Sequence, residues 1–169
     1  VLTIIVSAMV SYGATPRHAL VIGNSSYKSI PLRNPKNDAK DMAQVLRESG
    51  FKVDLLLDAN KREMTGSIRK LGKNLRGGGI GLFYYAGHGL QLERVNYLVP
   101  VNATIESEAD VEFEAVDANR IMAQMQQAGN EVNLVFLDAC RDNPFARSFT
   151  RSTQKGLAQM DSPLGSLVA

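Results

Sequence analysis

Cys140 is the only cysteine in the chain, and His18 and His88 are the only histidines. A thiol and an imidazole that share a cleft can carry out nucleophilic acyl transfer. The imidazole takes or shares the thiol proton, and the thiolate, which is the reactive form, attacks a carbonyl carbon. His88 lies between Gly87 and Gly89, directly after the apolar run from Ile80 to Ala86. Cys140 sits within Asp138-Ala139-Cys140-Arg141-Asp142, directly after the run from Val132 to Leu137. Both reactive side chains therefore follow runs of strand length and strand composition. The glycines beside His88 permit a tight turn and let a substrate backbone come close. His18 precedes its apolar run, at the opposite edge, and reads as structural.

Composition removes several other chemistries. One cysteine allows no internal disulfide and no cysteine cage for a metal, and two histidines argue against a His-rich zinc site, so no metal ligands are assigned. Nineteen basic and 17 acidic side chains leave a formal charge of +2, too balanced to point to nucleic acid. A length of 169 residues suits one domain with one substantial core.

The elements that must deliver His88 and Cys140 alternate along the chain. His18–Gly23 reads as a strand stopped by the turn-formers Asn24-Ser25-Ser26. From Asn37 to Ser49, Ala39, Met42, Ala43, Val45 and Leu46 recur at helical spacing, with Pro35 ahead, Asn34 or Asn37 as a cap, and Gly50 at the C-cap. Phe51–Leu57 is a second strand and Lys61–Leu75 a second helix, ended by Gly77-Gly78-Gly79. Ile80–Ala86 is the third strand, Leu90–Val101 a surface hairpin around Glu93-Arg94, Val116–Ala128 a third helix, and Val132–Leu137 the fourth strand.

This alternation predicts an α/β fold built of βαβ units, a mostly parallel sheet with helices on both faces. Ligands and catalysis in such sheets gather beyond the carboxyl ends of the strands, where His88, Cys140 and the first-helix residue Asp38 all fall. A nucleotide or other anion is a weaker reading. The triple glycine lies at the amino edge, and Gly23-Asn24-Ser25-Ser26, at the correct edge, lacks both G-x-G-x-x-G and G-x-x-x-x-G-K-[ST].

Tyr85-Ala86-Gly87-His88-Gly89, followed 52 positions later by Cys140 in Asp-Ala-Cys-Arg-Asp, resembles the caspase-like cysteine peptidases, whose histidine lies about 50 residues ahead of the cysteine. The resemblance is closest to the metacaspase and bacterial orthocaspase branch, shared also by Arg17–Asn24, Asn37-Asp38-Ala39 and Asn96–Val101. It runs from about Arg17 to the last residue. It implies a caspase-like three-layer αβα sandwich and a cysteine endopeptidase with a His88–Cys140 dyad, with backbone N–H groups of Gly89 and Cys140 as the oxyanion hole. Caspases carry Gln two places before the cysteine and cut after Asp; this chain has Asp138 there. By resemblance to metacaspases, Asp138 and Asp38 would line an acidic pocket and select Arg or Lys before the cut, Arg best through paired hydrogen bonds. For Asp38, a carboxylate favoured by the helix dipole is the competing reading.

Further expectations follow from the ends of the chain. Residues 1–14 open with a short apolar run and close with Ser11-Tyr12-Gly13-Ala14. This pattern resembles a signal-peptide remnant and implies a periplasmic or secreted protein; otherwise the run is a first buried strand and the protein cytoplasmic. It falls short of the roughly 20 apolar residues of a membrane span. Residues 15–169 then form the peptidase domain. Arg147, Arg151 and Lys155 lie in a polar loop over 143–156, which is either a self-cleavage segment or a solvated basic loop. The apolar close at Gly165–Ala169 reads as mid-strand, so the resemblance implies that the C-terminal part of the domain is missing. Calcium, which many metacaspases bind through acidic residues, is matched only at Asp117, with Asn102 where relatives often carry Asp. The expected partners are protein or peptide substrates. The reading from a different class is a catalytically silent caspase-like interaction module.

Overall fold

Apolar side chains alternate along the strands and pack a single sheet between two helical layers. A computed structural model of the chain describes residues 15–140, 157, 160 and 165–169. The signal-peptide expectation for residues 1–14 and the self-cleavage candidates Arg147, Arg151 and Lys155 fall outside them.

The chain begins with β1 (Arg17–Gly23), passes through a loop into α1 (Pro35–Glu48), and continues with β2 (Lys52–Leu57), α2 (Lys61–Asn74) and β3 (Ile80–Leu92). The short elements β4 (Val95–Leu98), α3 (Val111–Glu114) and β5 (Val116–Asp117) follow, then α4 (Asn119–Ala128), β6 (Val132–Cys140) and β7 (Ser166–Val168). Strands β2, β1, β3, β6 and β7 are parallel neighbours in that order. The outer part of β3 pairs antiparallel with β4, and β4 with β5.

Residues two apart on a strand share a face, and the core divides accordingly. Phe83 and Tyr85 pack with Met64, Ile68 and Leu71 of α2 and with Ile121 and Met125 of α4. Leu82, Tyr84 and Ala86 pack on the other face with Ala39, Ala43 and Leu46 of α1. The result is the αβα sandwich expected from the pattern. Burying these two layers supplies the main stabilisation, at roughly 25 cal/mol per Å² of apolar surface removed from water.

Several boundaries differ from the sequence reading. β3 does not stop at Ala86. Gly87-His88-Gly89 stay in the ladder, because β6 remains alongside through His88 and β4 takes over from Gly89 to Leu92. β6 likewise continues past Leu137 and ends at Cys140 instead of delivering it beyond the strand. The helix expected from Val116 begins at Asn119, since Val116 and Asp117 are extended and pair with β4. α1 begins at Pro35, and the Asn34 side chain makes no capping bond.

Gly23 at the end of β1 is a packing requirement. A Cβ there would lie 2.5 Å from the Pro35 carbonyl oxygen and 2.6 Å from the Ala39 Cβ. Its absence lets the first turn of α1, which carries Asp38, settle against the carboxyl edge of the sheet.

Candidate active site

Register decides whether the histidine and the cysteine meet. In the β3–β6 pair, Ala86 is opposite Asp138, Gly87 opposite Ala139, and His88 opposite Cys140. Two residues separated by 52 positions of sequence thus become neighbours at the carboxyl end of the central strands.

The His88 side chain is buried, with 4% of its surface exposed. Its Nε2 lies 2.7 Å from the Ile30 carbonyl oxygen. A carbonyl can only accept, so Nε2 carries the proton in the neutral ring, leaving Nδ1 as the unprotonated base. Nδ1 is buried and has no hydrogen-bond partner among the described residues. Burial lowers the imidazole pKa below the ordinary 6.5, and the bond to the Ile30 carbonyl offsets part of that. The ring therefore rests neutral near pH 7, able to take a proton at Nδ1.

Two tyrosine hydroxyls hold the His88 peptide. The His88 N–H donates to the Tyr27 hydroxyl at 2.9 Å, and the Tyr85 hydroxyl reaches the His88 carbonyl at 2.7 Å. Both hydroxyls lie 3.0 Å from the Val99 carbonyl oxygen and 3.1 Å from each other. The Tyr27 ring also packs on the imidazole, with centroids 4.4 Å apart. Gly87 makes room for this arrangement, because a Cβ there would lie 2.6 Å from each hydroxyl. Asn24 completes the support. Its side chain accepts from the Ala59 amide at 2.8 Å and donates to the Val99 carbonyl at 3.2 Å.

With this geometry in view, the relatives are informative. The family model for the caspase domain matches residues 16–164. The chain belongs to the caspase-domain family. Human mucosa-associated lymphoid tissue lymphoma translocation protein 1 is 33% identical over 129 residues, which are 76% of this chain and 15% of the human protein. Its mouse homolog is 34% identical over 129 residues, with the same shares. The chain thus spans a small part of the curated relatives it matches. Among solved structures, a Geobacter sulfurreducens protein shares the fold at TM-score 0.60 and 23% identity, over 78% of this chain and 53% of that one. The Drosophila initiator caspase Dronc does so at TM-score 0.59 and 11% identity, over 93% and 57%. At such identities the structural likeness carries the fold, and the family model carries the membership in a group of cysteine peptidases.

In this caspase-domain chain the two carboxylates singled out by sequence flank one hydroxyl. Tyr84, four residues before His88 on β3, donates to Asp138 Oδ2 at 3.3 Å. Burial, the Asp138 charge and hydrogen bond, and the Asp38 charge together push the Tyr84 hydroxyl well above the ordinary 10. It therefore remains a protonated donor. Asp138 is exposed and Asp38 half-buried, and among the described residues no cation pairs with either. Asp38 lies in the first turn of α1, so the helix dipole favours its charge as well.

Among the described residues no three His, Cys, Asp or Glu side chains converge, and Asp117 turns its carboxylate to the Asn119 amide at 2.8 Å. Among the same residues no helix is long and apolar enough to cross a membrane. A concavity of about 480 Å³ beside Leu57, Arg62 and Gly66 shares no residue with the surroundings of His88.

Sequence reasoning overlooked Asn24, Tyr27 and Tyr85. Asn24 looked like a turn-former, and Tyr85 like one more apolar strand residue. The signal that could have found them is polar capacity inside apolar surroundings, since buried hydroxyls and amides need partners.

Proposed function

We propose that this chain is a cysteine endopeptidase that cuts peptide bonds after Arg or Lys, with Cys140 as nucleophile and His88 as general base and acid. The observation that carries the reading is the β3–β6 register opposing His88 and Cys140, joined to an imidazole whose Nδ1 is left free to act.

The sequence of steps follows from these groups. The Cys140 thiol gives its proton to His88 Nδ1, and the thiolate sulfur attacks the scissile carbonyl carbon. The oxyanion that forms is met by backbone N–H groups of Gly89 and Cys140; donors of this kind are worth about 3–4 kcal/mol each in related acyl transfers. Gly89 lets β3 pack closely on β6 beside this position, since a Cβ there would lie 2.9 Å from the Ala139 Cβ. The C–N bond breaks as Nδ1–H protonates the departing amine, leaving a thioester. Water then attacks the thioester, giving one proton back through Nδ1 to the sulfur and releasing the acid.

The acidic edge supports the basic preference. Asp138 precedes Cys140 by two residues, about 7 Å along a strand, a span suited to an extended basic side chain whose carbonyl rests at the thiol. Two carboxylates suit the guanidinium of Arg better than the ammonium of Lys. Resemblance to the metacaspase and orthocaspase branch agrees. The segment 143–156, with Arg147, Arg151 and Lys155, is then a candidate for the enzyme's own cut.

The test uses peptide reporters ending in Arg, Lys or Asp, with Cys140→Ala alongside. Turnover of the Arg reporter that vanishes in the variant is expected. Preference for Asp would overturn the acidic-pocket assignment, and absence of both turnover and thiol alkylation would overturn the peptidase.

A further inference from the structure

Among the described residues, Asp58, Glu93 and Arg94 are the non-glycine residues with positive φ. Glu93 and Arg94 turn the β3–β4 hairpin. Asp58, with φ 54°, turns no hairpin. A left-handed residue of this kind costs about 1–2 kcal/mol, and such strain persists where surrounding structure holds it for a purpose.

The purpose is visible in what its carboxylate holds. Oδ1 accepts from the consecutive backbone amides of Ser25 and Ser26, at 2.8 Å each. Oδ2 accepts from the Ser26 hydroxyl and the Lys36 ammonium, at 2.7 Å each. The Asp58 N–H itself donates to the Gly23 carbonyl at 2.9 Å. Four donors converge on one side chain, and only an acceptor-only group with two oxygens satisfies them all. Asparagine would turn an amide N–H₂ towards the hydroxyl and the ammonium.

These bonds staple the loop over 24–34 at its start, and Lys36 ties the staple to α1. Within the loop, Leu32 N–H closes back on the Ser25 carbonyl at 2.9 Å. The loop supplies two contacts on the general base, the Tyr27 hydroxyl on the His88 amide and the Ile30 carbonyl on Nε2, the latter being the hydrogen bond on the ring. Tyr27 follows Ser26 directly, so a rotation at the staple is carried to the imidazole.

We propose that Asp58 is a positioning residue for His88, holding the 24–34 loop so that Ile30 and Tyr27 fix the tautomer and aim of the imidazole. Asp58 touches no reacting atom and acts through Ser25, Ser26 and Lys36. The inference rests on the Cys140–His88 reading above, and the experiment separates the two.

Cys140 is the only thiol of the chain, so iodoacetamide alkylation against pH reports its ionisation directly in the full-length protein. The parent is expected to titrate below the free-thiol value of about 8.5. Titration at 8.5 in the parent overturns the dyad, and this inference with it. Given a lowered parent value, Asp58→Asn is expected to move the midpoint up by on the order of one pH unit towards 8.5. Its kcat on the Arg reporter should fall about tenfold with KM little changed, as expected for a misaimed base. A variant with the parent's near-ultraviolet circular dichroism, an unmoved midpoint and an unmoved kcat overturns the positioning role. If Asp58→Asn does not fold, Lys36→Met decides the matter by the same measurements. It removes one of the four donors, and a smaller shift in the same direction is expected, with no shift overturning the proposal.

Discussion

Tyr27 touches His88 in two ways, its hydroxyl accepting the His88 amide at 2.9 Å and its ring lying tilted by 52° against the imidazole. Burial pushes the Tyr27 hydroxyl up to about 12, more than the hydrogen bonds to its neighbours bring it down, so it stays protonated in any working buffer. Tyr27→Phe keeps the ring and removes the hydroxyl, leaving the buried His88 N–H unpaired. The expected cost is about 1–3 kcal/mol of stability, read from denaturant midpoints. A fall in kcat of about tenfold should accompany it, because the base is less well aimed.

Gly87 and the tyrosine hydroxyls should prove energetically coupled. Gly87→Ala places a methyl group 2.6 Å from both hydroxyls, an overpacking expected to cost about 1–3 kcal/mol. In a Tyr27→Phe background one of the two clashes is gone. The double variant should therefore lose less than the sum of the single variants, by on the order of 0.5 kcal/mol or more. Additive losses in a double-mutant cycle would show that the methyl is accommodated elsewhere.

Much of the fold was legible because local pattern and tertiary packing agree. The apolar spacing in α1 and α2 and the strand-length runs of β1, β3 and β6 are set by which residues are buried, and burial shows in residue type. The strand ends were misplaced for the opposite reason. Whether Gly87-His88-Gly89 leaves the sheet depends on β4 and β6 lying alongside, which no local pattern encodes. His88 and Cys140 could be named from their types and flanking residues, whereas their pairing is a matter of register. Asp58 was invisible in sequence, since its partners Ser25, Ser26 and Lys36 are more than 20 positions away. Its left-handed backbone is written in no neighbouring glycine.

Acid should loosen the active site through Asp58. Partial burial raises its carboxyl pKa, but the bonds from Lys36, the Ser25 amide and both Ser26 donors outweigh this and hold it well below the ordinary 3.8. A lowered carboxyl contributes stability that is present above 3.8 and is lost as pH falls through the folded-state value. The parent's thermal midpoint should therefore decline as the pH drops below 4, and Asp58→Asn should show a shallower decline over the same interval. His88 acts in the same sense at higher pH. Its lowered pKa favours folding fully above 6.5, and that contribution is lost as pH falls further. His88→Gln should flatten the slope below 6.5.

Substrate choice should divide between the two carboxylates and the hydroxyl between them. Asp138→Asn removes the exposed charge beside Cys140, and kcat/KM for the Arg reporter is expected to fall about 10- to 100-fold, the value of a charged hydrogen bond of about 1.5–3 kcal/mol. Asp38→Asn distinguishes two roles for the half-buried carboxylate. If it contacts the substrate cation, KM for Arg rises by a similar factor with stability little changed. If it serves only the helix dipole, stability drops by about 0.3–1 kcal/mol and KM stays put. Tyr84→Phe leaves both charges in place but frees Asp138 Oδ2 from its donor. The carboxylate then has one fewer restraint, and the Arg-over-Lys ratio, which depends on a fixed pair of oxygens meeting a planar guanidinium, should narrow by a few-fold. Measuring kcat and KM for both reporters in all three variants locates the specificity in Asp138, Asp38 or the spacing that Tyr84 maintains.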